Sequence, residues 1–333
     1  MILLRTLVFI LCFHSLVGQT IYDYEREVNA ENEVKSLGID FVNSSDKLTL
    51  SGTLLYPTDG YEKIVLIVPG SGKDTRHSHF FLTENFLKNN IAVYRFDERG
   101  IGKSEGKYDY TATTLMEDVI AAYHKLITLP ELKNKKLGVL GHSLGGIASI
   151  GASGKGCEFA FLIQMATPVE KDGAFIKYQA LRNTDGFYSA ENKSATEVIA
   201  YIDTMNQLIL QYDDYKTIKR KGKKKMKALG FKKSLHMIIN PLQVDLVKQN
   251  HEATYQNCPV PMLYIVGSED RIVSPINEPN TLKQLNNSNV DIQIIDYTNH
   301  WLSDQIAPTK MDASLYQMNP LAIDAIVSWT LNL

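Results

Sequence analysis

Cysteine is scarce in this 333-residue chain: Cys12, Cys157 and Cys258 are the whole complement. That excludes a small scaffold held together by a disulfide framework. Charge of one sign is not in excess either. The 35 Lys and Arg stand against 37 Asp and Glu, a formal net charge of −2, which argues against a dedicated nucleic-acid binder. Beyond the N-terminus no run approaches the ~18 apolar residues of a membrane helix. No repeat of 20–50 residues appears, which excludes a solenoid or propeller. What is present, 44% hydrophobic and 22% charged residues, is the composition of a globular protein with a substantial core. The near-neutral total hides one asymmetry. Residues 216–233 (KTIKRKGKKKMKALGFKK) hold ten Lys and Arg and no acid, leaving 25 basic against 37 acidic residues elsewhere, a net of −12.

The N-terminus reads MILLRTLVFILCFHSLVGQT. Arg5 precedes an apolar stretch from Leu7 to Val17, small Gly18 ends it, and polar Gln19 and Thr20 follow. This is the physical pattern of a secretory signal peptide over residues 1–18, and it predicts a secreted or periplasmic protein. Two cysteines then remain, each just before a predicted strand, 159–166 and 261–268. Each lies eight residues before the equivalent strand positions Met165 and Val266. A disulfide between Cys157 and Cys258 is one expectation in an oxidising compartment; two buried, inert thiols are the other.

Residues 34–56 alternate in short β-like runs around Asn43-Ser44-Ser45-Asp46, the pattern of a hairpin. Continuous apolar runs follow at 63–68, 91–96, 137–141, 159–166, 262–267 and 290–295, as expected of parallel strands buried on both faces. Helix-like segments at 78–89, 114–128, 144–153 and 321–331 alternate with them. This order predicts a doubly wound α/β fold with a mostly parallel sheet. One stretch, 169–257, contains no such run. Val198, Ile202, Met205, Ile209 and Tyr212 recur there on one helical face, so 169–257 reads as a helical cap inserted in a core formed by 19–168 and 258–333.

Gly141-His142-Ser143-Leu144-Gly145 matches G-x-S-x-G between a buried strand and a small-residue helix. There the serine sits on a sharp corner and the glycines remove side chains that would collide. A serine nucleophile needs a base and the base an orienting carboxylate. Outside residues 1–18 the histidines are His77, His79, His124, His142, His236, His251 and His300. Only His300, in IIDYTNHWL, follows a strand end in the right place; His142 lies inside the motif and is expected to point into the core. Asp270, in IVGSEDRIV, is the expected carboxylate, with Glu269 its competitor. The loop VPGSGKDTR carries Gly70 and Gly72, which let backbone amides approach a substrate. The expected oxyanion donors are the amides of Ser71 and Leu144. A phosphate-binding role for this loop is disfavoured, because Lys73 is followed by Asp74 rather than Ser or Thr.

Taken together, PGSG (69–72), YRFDERGIGKSEG (94–106), GHSLGG (141–146) and the pair Asp270 and His300 resemble the α/β-hydrolase superfamily, from about residue 35 to the end and excepting the cap. Within it the chain is most similar to secreted bacterial esterases related to prolyl-oligopeptidase-type peptidases. Their loop reads G-S-G-P-x-D-R; here Lys73 and Thr75 replace the Pro and Asp, while Arg76 is kept. The resemblance implies an eight-stranded sheet and a structural role for Arg95, Asp97, Arg99, Gly100, Gly102 and Ser104. It also implies hydrolysis of small-molecule acyl esters through an acyl-serine, with no metal or organic cofactor. A serine peptidase or acyl-thioesterase using the same residues is the alternative, and a non-catalytic binding protein on this scaffold a further one. The basic run, densest at Lys223, Lys224 and Lys225, is either a solvated surface or an electrostatic contact with anionic surfaces.

Overall fold

The computed structural model describes residues 21–29, 33–109, 111–182, 193–231, 239–304 and 313–333; the expected signal peptide lies outside them. The apolar runs become β3 (Lys63–Val68), β4 (Ile91–Phe96), β5 (Lys136–His142), β6 (Leu162–Met165), β7 (Met262–Gly267) and β8 (Val290–Ile295). Ahead of them β1 (Val34–Val42) and β2 (Thr49–Pro57) form the hairpin. Its turn is held by Asn43, whose Oδ1 accepts from the Ser45 amide at 2.8 Å. The sheet has eight strands in the order β1-β2-β4-β3-β5-β6-β7-β8. β1–β2 and β2–β4 pair antiparallel, and all other neighbours pair parallel.

Alternation along each strand sends its side chains to two cores. Val65, Ile67, Val93, Leu140, Ile163 and Leu263 pack against Leu82 and Phe86 of α1 (Phe80–Lys88) and Ile323 and Ile326 of α10 (Pro320–Leu331). Leu66, Tyr94, Val139, Leu162 and Tyr264 meet Leu115 and Val119 of α2 (Ala112–Leu126) and Ile147 and Ile150 of α3 (Leu144–Gly154). The run 290–295 departs from expectation. As β8 it is the edge of the sheet, and only Ile295 in it is buried. An apolar run alone does not distinguish an edge strand from a central one.

The block after β4 is structural, as the resemblance implied. Asp97, fully buried, accepts from the Arg76 amide at 2.8 Å and from its guanidinium at 3.1 and 2.7 Å. Arg99 bridges Asp118 and Asp46, both at 2.6 Å, and Ser104 Oγ donates to the Asp97 carbonyl at 2.6 Å.

Between β6 and β7 the described residues contain five helices and no strand: α4 (Phe175–Arg182), α5 (Ala195–Gln211), α6 (Tyr215–Ala228), α7 (Pro241–Lys248) and α8 (Glu252–Asn257). Their boundaries follow local chemistry. Ser194 and Glu197 make a capping box at α5, Asp214 caps α6, and Asn240 with Pro241 opens α7. The α5 face expected from spacing buries Val198, Ile202, Met205 and Ile209, while Tyr212 is only partly covered at the helix end. In α6, Ile218, Gly222 and Met226 are buried at four-residue spacing, which leaves the cations on the outer side.

The disulfide expectation is not met: Cys157 and Cys258 are buried free thiols. The pairing register supplies the reason. Met165 lies opposite Ile265, not Val266, so the two cysteines are one residue out of step.

The chain leaves β6 at a buried carboxyl anchor. Glu278, from α9 (Asn277–Leu285), accepts the amides of Val169 and Glu170 on Oε2 at 2.7 and 2.8 Å. Its other oxygen is buried and unpaired. Burial pushes its carboxyl up to about 8. The folded state therefore keeps a proton that the unfolded chain gives up near pH 4.5. The stability this contributes is present below that pH and is lost as pH rises toward 8. Thermal unfolding from pH 5 to 8 should show Glu278→Gln gaining on the native protein by more than ~1 kcal/mol. A constant difference would contradict a neutral Glu278.

Candidate active site

Ser143 stands between β5 and α3 with φ 54° and ψ −116°, a conformation that costs ~1–3 kcal/mol for a residue with a Cβ. The flanking glycines make the corner possible. A Cβ on Gly141 would lie 2.4 Å from the Gly145 carbonyl oxygen, and one on Gly145 only 2.3 Å from those of Val68 and Pro69. The corner is tied down by the Ser143 amide, which donates to the Met165 carbonyl at 2.9 Å. Leu144 and Gly145 begin α3, so their amides have no carbonyl one turn back within the helix.

The loop after β3 runs beside this corner. A Cβ on Gly70 would sit 3.4 Å from Ser143 Cβ, and Gly70, Ser71 and Gly72 line the same cavity as Ser143. The loop is held from outside by Tyr108, whose hydroxyl donates to the carbonyls of Ser71 and Gly72, and by Tyr24, which donates to that of Lys73. Glu25 accepts from the Thr75 amide at 2.7 Å and from its hydroxyl at 2.8 Å.

Asp270 and His300 extend from the loops after β7 and β8. His300 Nδ1 lies 2.8 Å from Asp270 Oδ2, and both side chains are buried. Asp270 Oδ1 accepts from the amides of Ile272 and Val273 at 2.7 and 2.9 Å, and Tyr178 of α4 donates to the Asp270 carbonyl at 2.5 Å. The two amide bonds hold the carboxylate in one orientation, and Tyr178 fixes the backbone that carries it. Glu269, the competitor, is exposed. His300 and Ser143 border one cavity of about 110 Å³ with Gly70, Ser71, His142 and Trp301.

His142 is buried as expected, but it faces the site. Its Nε2 donates to the His300 carbonyl at 3.0 Å, and its Nδ1 lies 3.1 Å from His79 Nε2. Because a carbonyl only accepts, His142 carries its proton on Nε2, and His79 must donate to its Nδ1. Burial keeps both rings neutral: it pushes His142 well down and His79 down to about 3. The pair thus fixes the backbone of His300 without adding charge.

The sequence reading overlooked the far wall of the cavity, formed by Tyr24, Asp74, Ile272 and Tyr316. Tyr316 donates to Asp74 Oδ1 at 3.1 Å. Burial, then the neighbouring Glu25, pushes the Asp74 carboxyl up to about 7. Only Asp74, in the glycine loop, carried a signal in its neighbourhood; Tyr24 and Tyr316 come from remote segments without a motif. Among the described residues no group of three or more His, Cys, Asp or Glu is placed to hold a metal ion.

This architecture is similar to that of solved hydrolases. The Pyrococcus furiosus esterase Pf2001 aligns with a TM-score of 0.56 at 18% identity, covering 95% of this chain and 98% of that one. Est1E from Butyrivibrio proteoclasticus, solved with ferulic acid, aligns with a TM-score of 0.54 at 18% identity over 88% and 98%. The α/β hydrolase GrgF from Penicillium sp. sh18 gives 0.54 at 15% over 90% and 97%. At such identities the likeness is one of fold. No curated protein matches the sequence. The sequence profile of the family described as serine aminopeptidase, S33, matches residues 60–304, most of the eight-stranded scaffold and all of the cavity residues but Tyr24 and Tyr316, and the chain belongs to that family of α/β hydrolases.

Proposed function

We propose that this hydrolase is a secreted serine carboxylesterase acting on small acyl esters. One observation carries the reading: Ser143 on its strained corner and the buried, hydrogen-bonded Asp270–His300 pair border one small cavity. In the proposed cycle His300 takes the Ser143 hydroxyl proton as Oγ attacks the ester carbonyl. Asp270 holds the imidazole tautomer and stabilises its cation. The amides of Leu144 and Ser71 receive the oxyanion. His300 then protonates the departing alcohol, leaving an acyl-serine, and activates the water that releases the acid. On this reading helices α4–α8 serve as the cap, a role supported by the Tyr178 bond to the Asp270 carbonyl. Export rests on the pattern of residues 1–18, and an exported chain that begins near Gln19, read by intact mass, is the expected product.

The cavity, about 110 Å³, is small beside the several hundred Å³ of a typical ligand pocket, which favours short acyl groups. In a 4-nitrophenyl ester series from acetate to decanoate, kcat/KM should fall about tenfold or more between butyrate and octanoate. Ser143→Ala and His300→Ala should lose about 10³-fold or more in kcat, and Ser143→Ala should lose fluorophosphonate labelling. A fully active Ser143→Ala variant would refute the mechanism, and a preference for decanoate would refute the size argument.

The outer side of α6 supports a second contact. Lys216, Lys219, Arg220, Lys221, Lys223, Lys224, Lys225 and Lys227 occupy it. The ion pairs in this part of the chain use Lys171, Lys177, Lys193 and Lys248 instead. Among the described residues the α6 cations join none. The proposal is an electrostatic contact with an anionic lipid surface. Sedimentation with vesicles containing anionic phospholipid should fall at least about tenfold between 50 and 300 mM salt; equal binding at both would exclude it.

A further inference from the structure

The wall of the cavity formed by Tyr24, Asp74 and Tyr316 has a chemistry that ester hydrolysis alone does not require. Asp74 is 2% exposed yet lines the cavity. Its Oδ1 accepts the Tyr316 hydroxyl at 3.1 Å. Among the described residues no donor meets its Oδ2. A Cβ on Gly72 would come within 3.1 Å of that oxygen, so the glycine keeps the approach to it open. Asp74 thus brings to the cavity that Ser143 borders a carboxyl with one oxygen oriented by Tyr316 and the other open.

Three aromatic rings share the cavity with Asp74: Tyr24, Tyr316 and Trp301. Tyr24 and Tyr316 lie 6.1 Å apart, centroid to centroid, tilted by 40°, so their faces form a corner rather than a stack. Aromatic rings attract a cation through the quadrupole of their faces, and these three line the cavity beside Asp74. No Lys or Arg is among the described lining residues. Two further carboxyls lie close to Asp74. Glu98 accepts the Asp74 amide on Oε2 at 2.8 Å, and Glu25 holds the adjacent Thr75. Asp97, the remaining buried acid of this region, is neutralised by Arg76. Burial raises the proton affinity of Glu25, Asp74 and Glu98 alike, so the wall combines carboxyls, with no Lys or Arg among its described lining residues, and aromatic rings.

We propose that Asp74, with the rings of Tyr24, Tyr316 and Trp301, forms a subsite for a substituted ammonium group carried by the substrate. The inference rests on the serine hydrolase reading of Ser143, and it assigns to Asp74 a role in specificity, not in bond cleavage. Both the missing cation and the open oxygen are then explained. The substrate supplies the positive charge, and Asp74 Oδ2 receives it while Oδ1 remains oriented by Tyr316. The raised proton affinity of Asp74 fits the same picture, because an entering cation favours the ionised carboxylate.

The test compares each cationic ester with its neutral isostere. One pair is acetylcholine and 3,3-dimethylbutyl acetate, with the charge in the alcohol. The other is the ethyl esters of β-alanine and butyrate, with the charge in the acyl group. At pH 7 the native protein should prefer the cationic member of at least one pair about tenfold or more in kcat/KM. Asp74→Asn keeps the shape and the Tyr316 contact. It should reduce that ratio, the kcat/KM of the cationic ester over that of its neutral isostere, about tenfold. Tetramethylammonium should also slow fluorophosphonate labelling of Ser143 in the native protein, where sodium at equal ionic strength does not; this readout stands even where the variant does not fold. Absence of cation preference in both pairs, a preference that Asp74→Asn retains, or no protection by tetramethylammonium overturns the subsite. Failure of all four esters together with unlabelled Ser143 would instead overturn the hydrolase reading beneath it.

Discussion

The backbone corner at Ser143 is the constraint on which the rest of the site depends. It holds a residue with a Cβ at positive φ, and that conformation persists only where the surroundings over-determine it. Here they do so from three sides. The β5–β6 pairing ends in the bond from the Ser143 amide to Met165, α3 starts immediately after, and the carbonyls of Val68 and Pro69 press against Gly145. The same crowding brings the loop after β3 to Ser143, so Gly70 and Ser71 reach the cavity as a by-product of the corner. The order of the central strands is therefore already part of the chemistry.

Much of this was legible in the sequence, for definite reasons. A strand buried on both faces cannot alternate, so 63–68, 91–96 and 262–267 were visible as unbroken apolar runs. The glycines around Ser143 were legible because only glycine fits there. Asp270 and His300 followed from strand ends, and the structure brings them within hydrogen-bonding distance of each other. Less legible was whatever depends on register or on remote segments meeting. The cysteine pairing failed by one residue of register. The burial of 290–295 was over-read, because edge and centre share a vocabulary. His142 was assigned to the core, but its ring contacts belong to the site, since motif position does not reveal which neighbours a buried imidazole meets. The Tyr24–Asp74–Tyr316 wall joins three parts of the chain that no local pattern connects.

Charge is distributed with an internal logic. The buried carboxyls of Glu25 and Glu98 gather around Asp74 and its neighbour Thr75, while the neutral His79–His142 pair stands behind His300. The scaffold ion pairs Arg76–Asp97 and Arg99–Asp118 are closed. The cations of α6 are kept outside by the buried stripe of Ile218, Gly222 and Met226. Structural charge is paired, whereas charge at the cavity and on the outer helix is left open. That difference separates groups that hold the fold from groups available to something else.

Leu162 and Met262 are register partners in adjacent strands, although about a hundred residues separate them along the chain. Closing such a loop costs about 4 kcal/mol of chain entropy before any pairing compensates it. Ser143 lies before this closure, and Asp270 and His300 lie after it. A nascent chain can complete the hairpin, β3, β4 and β5, and even the corner at Ser143, without having assembled a base beside it. On the proposed serine mechanism, competence is thus delayed until the last strands of the sheet have joined, at the end of folding rather than at its beginning.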